Sequence, residues 1–187
     1  MQGKRAYNCL CRIVKINIFA TMAEDLLIAS MEHGKEERYK IMLPQVEAIV
    51  NGETDFIANV SNIIAIIKST FNHLWVGVYF VRAEELVLGP FQGPVACTRI
   101  FYGKGVCGKA WMEGRIIIVS NVDDFPGHIS CSSLSKSEIV LPVIVDERVR
   151  MVLDLDSDSL NCFDEIDASY LSKVILIIQK LYKESLL

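Results

Sequence analysis

The apolar positions of the chain repeat with two different periods, and the change between them divides the sequence into helices and strands. A period of 3.6 residues is typical of amphipathic helices. It predicts three of them, one from about Glu36 to Ile49, one from about 55 to 71 and one that starts near Asp164. We expect Pro44 to bend or split the first helix, and Thr54 to cap the second.

Between the second and the last of these helices, the apolar residues are mostly β-branched or aromatic and come in short runs. Such runs predict strands, at 75–81, 86–91, 96–102, 115–122, 138–145 and 150–157. Polar turns join the first two and the last two strands as hairpins, and a short helix at 105–114 is ended by Gly114. Helices around hairpin-connected strands predict an α+β domain with a mainly antiparallel central sheet of about six strands, flanked by N- and C-terminal helices.

The first 23 residues differ in composition from the rest of the 187-residue chain. They carry four basic side chains and no acidic one, whereas residues 24–187 carry a net charge of −8. Residues 1–23 therefore read as a basic N-terminal extension. It is either a mitochondrial-type presequence or a stretch upstream of a start at Met22. We expect residues 24–187 to form one domain.

Charge and hydropathy exclude several classes of protein. The net charge is −4, and no basic stripe is present to neutralise nucleic-acid phosphates. No apolar run approaches the roughly 20 residues that span a bilayer. The six cysteines are irregularly spaced and no secretory signal precedes them, which favours a reducing, cytoplasmic setting, or a mitochondrial one if residues 1–21 are a presequence. In such a setting, clustered cysteines are more often catalytic or metal-binding than structural.

Three cysteines, Cys97, Cys107 and Cys131, lie in glycine- or serine-rich segments of the middle of the chain. The segment GKGVCG around Cys107 matches the G-x-G-x-x-G dinucleotide fingerprint, but the βαβ units that this fold requires are missing. We interpret its glycines as turns that place Cys107 near a helix N-terminus, where the helix dipole favours a thiolate.

Cys131 follows His128 in the polar segment FPGHISCSS, and an imidazole with hydroxyl groups can hold a thiolate. For Cys97, in GPVACTRI, a structural interpretation is the alternative to a redox role: it would be a small buried residue on a strand. Zinc is disfavoured, because this region lacks the closely spaced cysteine pairs of structural zinc sites.

Acidic residues alternate with leucines in the segment MVLDLDSDS. This alternation places Asp154 and Asp156 on one face of a strand, and Glu138 opens the partner strand. The face is either solvated, or it crowds three acids around a cation such as a ligand ammonium. Crowding would also raise a carboxyl pKa and so keep a proton available for transfer. Trp75 and Tyr79 share a strand face as well, either as core residues or as the wall of a small pocket.

The segments LVLGPFQGPVACTRI, GKGVCGKAW, FPGHISCSSLSKSEIVLPV, LDLDS and CFDEID resemble the free methionine-(R)-sulfoxide reductases. These are GAF-domain enzymes that reduce the sulfoxide of free methionine rather than that of protein-bound methionine. The resemblance covers about residues 36–182. It implies a GAF-like fold and an oxidoreductase that acts on a sulfur group, with a disulfide as acceptor.

The resemblance also implies roles for the three cysteines. Cys131 matches the nucleophile, which becomes a sulfenic acid, and Cys97 matches the resolving cysteine that then forms a disulfide with it. Cys107 matches a third cysteine with an auxiliary or alternative role. The disulfide would be recycled by thioredoxin or a related dithiol protein, with no bound cofactor and no metal. The family function belongs to the response to oxidative stress, and a homodimer is compatible with it.

The remaining site residues follow from the same resemblance. The acids Glu138, Asp154 and Asp156 match those that hold the substrate's ammonium and sulfoxide, while Trp75 and Tyr79 match aromatics around its methyl-sulfoxide end. A noncatalytic GAF module that senses a small ligand or a redox state is the alternative. The joint presence of two cysteines and three acids favours the reductase, because a sensor does not need all five.

Overall fold

The computed structural model describes residues 33–127 and 133–186. Four α-helices and six strands form in these residues. In chain order they are α1 (Lys35–Val50), α2 (Phe56–Phe71), β1 (Trp75–Arg82), β2 (Glu85–Gln92), β3 (Arg99–Phe101), α3 (Gly105–Glu113), β4 (Ile117–Val119), β5 (Ser137–Val145), β6 (Arg148–Ser157) and α4 (Glu165–Glu184). None of the described helices is long and apolar enough to cross a membrane.

The strands form one sheet in the order β3-β2-β1-β6-β5-β4, and every neighbouring pair is antiparallel. This confirms the predicted α+β class and six-stranded antiparallel sheet. Both predicted hairpins form, β1 with β2 and β5 with β6. The chain reverses between β5 and β6 at Asp146 and Glu147, which both have positive φ angles, as a tight hairpin turn requires.

The sheet separates two hydrophobic cores. The larger core lies between the sheet and helices α1, α2 and α4. The smaller core lies on the opposite face, where α3 packs against β5 and β6. A curved antiparallel sheet covered on both faces can hold a cavity beneath the shorter cover, and that cavity is where the candidate site lies.

The structure corrects the predicted cap of α2 and one of the two alternatives for Pro44. The α2 cap is Asp55, not Thr54: the Asp55 carboxylate accepts a hydrogen bond from the Ala58 N–H at 2.8 Å. The side chain of Glu53 accepts hydrogen bonds from the N–H groups of Thr54 and Asp55, which fixes the backbone just before α2. Pro44 does not split α1, which runs through it as one helix of 16 residues, and a bend at Pro44 stays a prediction.

Two strands are shorter than their apolar runs predicted. The predicted strand 96–102 keeps only Arg99–Phe101, and residues 94–98 form a loop. The register of β2 and β3 would place Ala96 opposite Pro90, which has no N–H to donate, so the ladder does not extend to the start of the predicted strand. The predicted strand 115–122 keeps only Ile117–Val119, because Asn121 caps a short 3₁₀ turn by accepting the Asp123 N–H. Both shortened strands end beside the cavity.

Candidate active site

Three predicted site residues form a row across the middle of the sheet. The antiparallel register places Asp156 of β6 opposite Trp75 of β1 on one side and opposite Glu138 of β5 on the other. Asp154 lies one step along the same face, between Gly77 and Val140 of the two neighbouring strands. The period-two prediction for the two aspartates is therefore confirmed, and all three acids share one sheet face.

This acidic face is not solvated. Glu138 and Asp154 are each only 6% exposed, and Asp156 is partly buried. The intervening Leu153 and Leu155 point to the other side of the sheet and are fully buried in the larger core. Helix α3 covers the acidic face, so the structure favours the crowded-acid alternative over the solvated one.

The aromatic wall of the cavity depends on a glycine. Trp75 stacks on Tyr79 at a centroid distance of 5.9 Å and on Phe91 at 5.4 Å. A Cβ atom at Gly77 would lie 2.3 Å from Cη2 of Trp75 and 2.6 Å from Cβ of Phe91. The missing side chain lets the indole lie across the strand, which brings Trp75 and Tyr79 together as predicted.

Helix α3 places Cys107 over the acids. The helix begins at Gly105, which has a φ of 61°, and Gly114 ends it in the left-handed conformation, as the sequence predicted. Cys107 is 3% exposed, and its thiol donates a weak hydrogen bond to Oε1 of Glu138 at 4.0 Å. Ligand atoms of Cys107, Glu138 and Asp154 all lie within 4.8 Å of one another.

The prediction that Cys107 is held as a thiolate is wrong. Its position near the start of α3 is as predicted, but burial raises the pKa of its thiol well above the usual value, and the nearby Asp154 and Glu138 raise it further. Desolvation and two carboxyl groups outweigh the end of a nine-residue helix. In this environment the protonated thiol is favoured.

Burial also shifts the three carboxyl groups toward their neutral forms, by different amounts. Burial raises the pKa of Glu138 well above its ordinary value, and the charges of Asp154 and Asp156 add to the effect. Burial and Asp156 likewise raise the pKa of Asp154. Burial raises the pKa of Asp156 to about 6, although the Ser135 hydroxyl opposes this by donating a hydrogen bond to Oδ1 at 2.5 Å.

Two buried polar atoms beside the cavity have no hydrogen-bond partner among residues 33–127 and 133–186. One is Oδ1 of Asp154, an acceptor, and the other is Nε1 of Trp75, a donor. Buried polar groups are normally paired, so each unpaired atom is a place where a ligand group could bind. Described residues that line the cavity are Leu74, Trp75, Tyr79, Pro94, Val95, Ala96, Ile100, Lys104, Gly105, Val106, Cys107, Ser135, Glu138, Asp154 and Asp156.

Cys97 lies in the loop that borders the cavity, next to the lining residue Ala96. It is partly buried against the smaller core and is not on a strand, so the interpretation as a strand residue is wrong. Cys97 is disulfide-bonded, whereas Cys107 and Cys162 are free thiols. Cys131 and His128 lie outside the described residues, so the pairing of Cys97 with Cys131 stays a prediction.

Sequence reasoning missed two polar residues of the cavity, Ser135 and Lys104. Ser135 is buried and bonds to Asp156, while Lys104 is exposed and is the one basic side chain among the described lining residues. The serine-rich run before β5 was a visible signal for Ser135. Lys104 precedes α3 in the glycine segment, and its place at the cavity depends on the packing of that helix.

Comparison with known proteins identifies the relatives of this fold and site. Residues 55–175 match the GAF domain family. GAF domain-containing protein A of Dictyostelium discoideum is 54% identical over 158 residues, which cover 84% of this chain and 99% of that protein. Free methionine-R-sulfoxide reductase of Saccharomyces cerevisiae is 39% identical over 155 residues, which cover 78% of this chain and 86% of that protein.

A solved structure is also similar to this chain in both sequence and fold. Free methionine-R-sulfoxide reductase of Neisseria meningitidis, whose X-ray structure is of its complex with its substrate, is 50% identical in sequence. The two structures superpose with a TM-score of 0.81 over 82% of this chain and 93% of the Neisseria chain.

Proposed function

The chain belongs to the GAF-domain family and, within it, to the free methionine-R-sulfoxide reductases, and from this premise we propose how it carries out that reaction. It is an oxidoreductase of this kind. We propose that it reduces free L-methionine-(R)-sulfoxide to L-methionine in the cavity between α3 and the sheet. The observation that carries the proposal is the group of three crowded acids with an unpaired Asp154 oxygen beside an aromatic wall.

The acids account for selectivity toward a free amino acid. A free methionine sulfoxide carries an ammonium group, and an ionised Asp154 or Asp156 can pair with it. This pairing relieves the repulsion among the three carboxyl groups. A methionine sulfoxide inside a protein chain has a neutral amide nitrogen instead. It would leave the buried acids unpaired and would not fit under α3, which penalises its binding.

The aromatic wall receives the other end of the substrate. Trp75 and Tyr79 supply a flat apolar surface for the S-methyl group. A carboxyl group that keeps its proton near neutral pH can donate that proton to the sulfoxide oxygen. Glu138 and Asp154 both have raised pKa values, so the proton donor is assigned to this pair.

The proposed reaction balances with two thiols as the electron source. The Cys131 thiolate attacks the sulfoxide sulfur while a buried acid protonates the oxygen. The oxygen passes to the cysteine, so methionine leaves and Cys131 becomes a sulfenic acid. The Cys97 thiol then attacks that sulfur, and a disulfide and one water molecule form. The sulfoxide gains two electrons and the two cysteines lose two.

An external dithiol protein would return the enzyme to its starting state. A thioredoxin-like protein exchanges its two thiols for the Cys97–Cys131 disulfide and becomes a disulfide itself. This recycling needs a cysteine near the surface, and Cys97 lies in the loop at the cavity border, only partly buried. The scheme uses no bound cofactor and gives Cys107 an auxiliary role.

Turnover of a defined substrate tests the proposal. The full chain is incubated with free methionine-(R)-sulfoxide and dithiothreitol, and the methionine formed is counted. We expect turnover by the wild type and by Cys162→Ser, the matched control at a free cysteine away from the cavity, and no turnover by Cys131→Ser. Normal turnover by Cys131→Ser would remove the assignment of the nucleophile.

Substrate choice is a second test. The same assay with a methionine sulfoxide inside a peptide should give no product, and comparable rates on both substrates would contradict the role of the acids. Binding of the free sulfoxide without any turnover by the wild type would instead favour a ligand-sensing GAF module.

A further inference from the structure

Besides the groups proposed to bind the substrate ammonium, the cavity contains three side chains placed as metal ligands could be. One ligand atom each from Cys107, Glu138 and Asp154 lies within 4.8 Å of the other two, and all three side chains are buried. We propose that these three residues bind a Zn²⁺ ion, and that zinc thereby excludes the substrate from the cavity. The binding site stands on this geometry alone, whereas the competition rests on the proposed function.

The geometry suits a small ion with mixed ligands. Zinc binds thiolate sulfur at about 2.3 Å and carboxylate oxygen at about 2.0–2.2 Å. In a tetrahedral site such bonds place the ligand atoms roughly 3.3–3.8 Å apart. The Cys107–Glu138 pair, at 4.0 Å, is already close to that separation. Small rotations of the side chains would complete a three-residue site with an open fourth position for water.

A second observation concerns one oxygen of Asp154. Asp154 is only 6% exposed, and its buried Oδ1 accepts no hydrogen bond from any described residue. Ser135 satisfies Asp156, but no described residue does the same for this oxygen. Lys104, the basic residue of the lining, is exposed and forms no described ion pair with the acids. A cation inside the cavity would satisfy the Asp154 oxygen and reduce the repulsion among the carboxyl groups.

The thiol decides which cation fits. A site of oxygen ligands alone would suit Mg²⁺ or Ca²⁺, whereas a sulfur ligand selects softer ions such as Zn²⁺. The three ligands come from α3, β5 and β6, which explains why the spacing of cysteines along the sequence gave no sign of zinc. The ion takes no part in sulfoxide reduction. It occupies the place that the substrate ammonium needs, so the two bind in competition.

Cobalt is the probe for this site, because Co²⁺ replaces Zn²⁺ and reports a sulfur ligand by its thiolate-to-metal charge-transfer absorption. The full chain carries Cys9→Ser and Cys11→Ser, which remove two further thiols of the sequence, and is reduced with a phosphine. We expect a Cys107-dependent absorption band that Zn²⁺ abolishes. Cys107→Ser should remove the band, Asp154→Asn should weaken Co²⁺ binding by about tenfold or more, and Cys162→Ser and Cys131→Ser should leave the band unchanged.

The outcomes separate the metal site from the proposed function. Absence of the band, or its persistence in Cys107→Ser, overturns the metal site, whether or not the enzyme turns over. If the band forms as expected, free methionine-(R)-sulfoxide should raise the apparent Kd for Co²⁺. A normal band that the sulfoxide cannot displace would keep the metal site and overturn the placement of the substrate ammonium among these acids.

Discussion

Glu138 and Asp156 face each other directly across the ladder between β5 and β6. Two acids opposed in this way normally destabilise a sheet. Burial raises the pKa of both carboxyl groups, and Glu138, whose pKa lies well above its ordinary value, keeps its proton more readily than Asp156, whose pKa is about 6. Ionising both carboxyl groups together is therefore unfavourable, and a cationic group bound between them would make it less so.

We predict that Asp154→Asn stabilises the ligand-free protein at alkaline pH. Burial and Asp156 raise the pKa of Asp154 in the folded state, so folding favours its protonated form. The wild type therefore has this contribution in full at low pH and loses it as the pH rises through the folded pKa. Urea unfolding should show the variant more stable than the wild type at pH 8, by on the order of 1–3 kcal/mol, and a smaller difference at pH 5. Asp158→Asn, an exposed neighbour, is the control.

The same acids give the site a pH-dependent affinity. Asp156 must lose its proton to attract the ammonium, and its pKa is about 6. Affinity for free methionine-(R)-sulfoxide should therefore be constant above pH 7 and fall by about tenfold for each unit below 6. Calorimetric titration of Cys131→Ser with the sulfoxide between pH 5 and pH 8 measures this without turnover. An affinity that does not change over this range would contradict the role of Asp156.

Ser135→Ala should move that dependence to higher pH. The Ser135 hydroxyl donates a hydrogen bond to Asp156 and favours its ionised form, so its removal raises the pKa of Asp156 further. The decline in affinity should then begin at a higher pH, while affinity well above the new pKa stays close to that of the wild type. Ser133→Ala changes an exposed serine of the same segment and should leave the curve unchanged. A uniform loss of affinity at every pH would point to a structural effect instead.

The sequence predicted the elements and the shared face of the acids because both depend on local periodicity. Alternation with Leu153 and Leu155 was enough to align Asp154 with Asp156. The sequence left the burial of that face open, since it depends on α3 packing back across β5 and β6. The same long-range packing reversed the prediction for Cys107. A helix end is visible in the sequence, but the buried carboxyl groups that raise the thiol pKa come from two distant strands.

Cys107 should react slowly with alkylating reagents. It is buried, and its raised pKa leaves little thiolate at neutral pH. Iodoacetamide labelling followed by mass spectrometry should modify the partly buried Cys162 well before Cys107 in the native protein, and both at similar rates in urea. Rapid labelling of native Cys107 would instead support the thiolate that its position near the helix N-terminus predicted.

Gly77→Ala tests how the aromatic wall is held. The new Cβ would lie 2.3 Å from Cη2 of Trp75 and 2.6 Å from Cβ of Phe91, and the second of these atoms is close to the backbone and cannot move far. The indole must therefore shift, which we expect to reduce kcat/KM by about 10- to 100-fold and to destabilise the fold by about 1–3 kcal/mol.

Gly34→Ala is the matched control, because no atom of the residues that the structure describes lies within 4 Å of its added Cβ. It should leave kcat/KM unchanged. Steady-state kinetics, with tryptophan fluorescence to follow the indole, checks both variants. Wild-type kinetics in Gly77→Ala would show that the substrate does not depend on the position of Trp75. The aromatic wall would then be part of the core rather than part of the site.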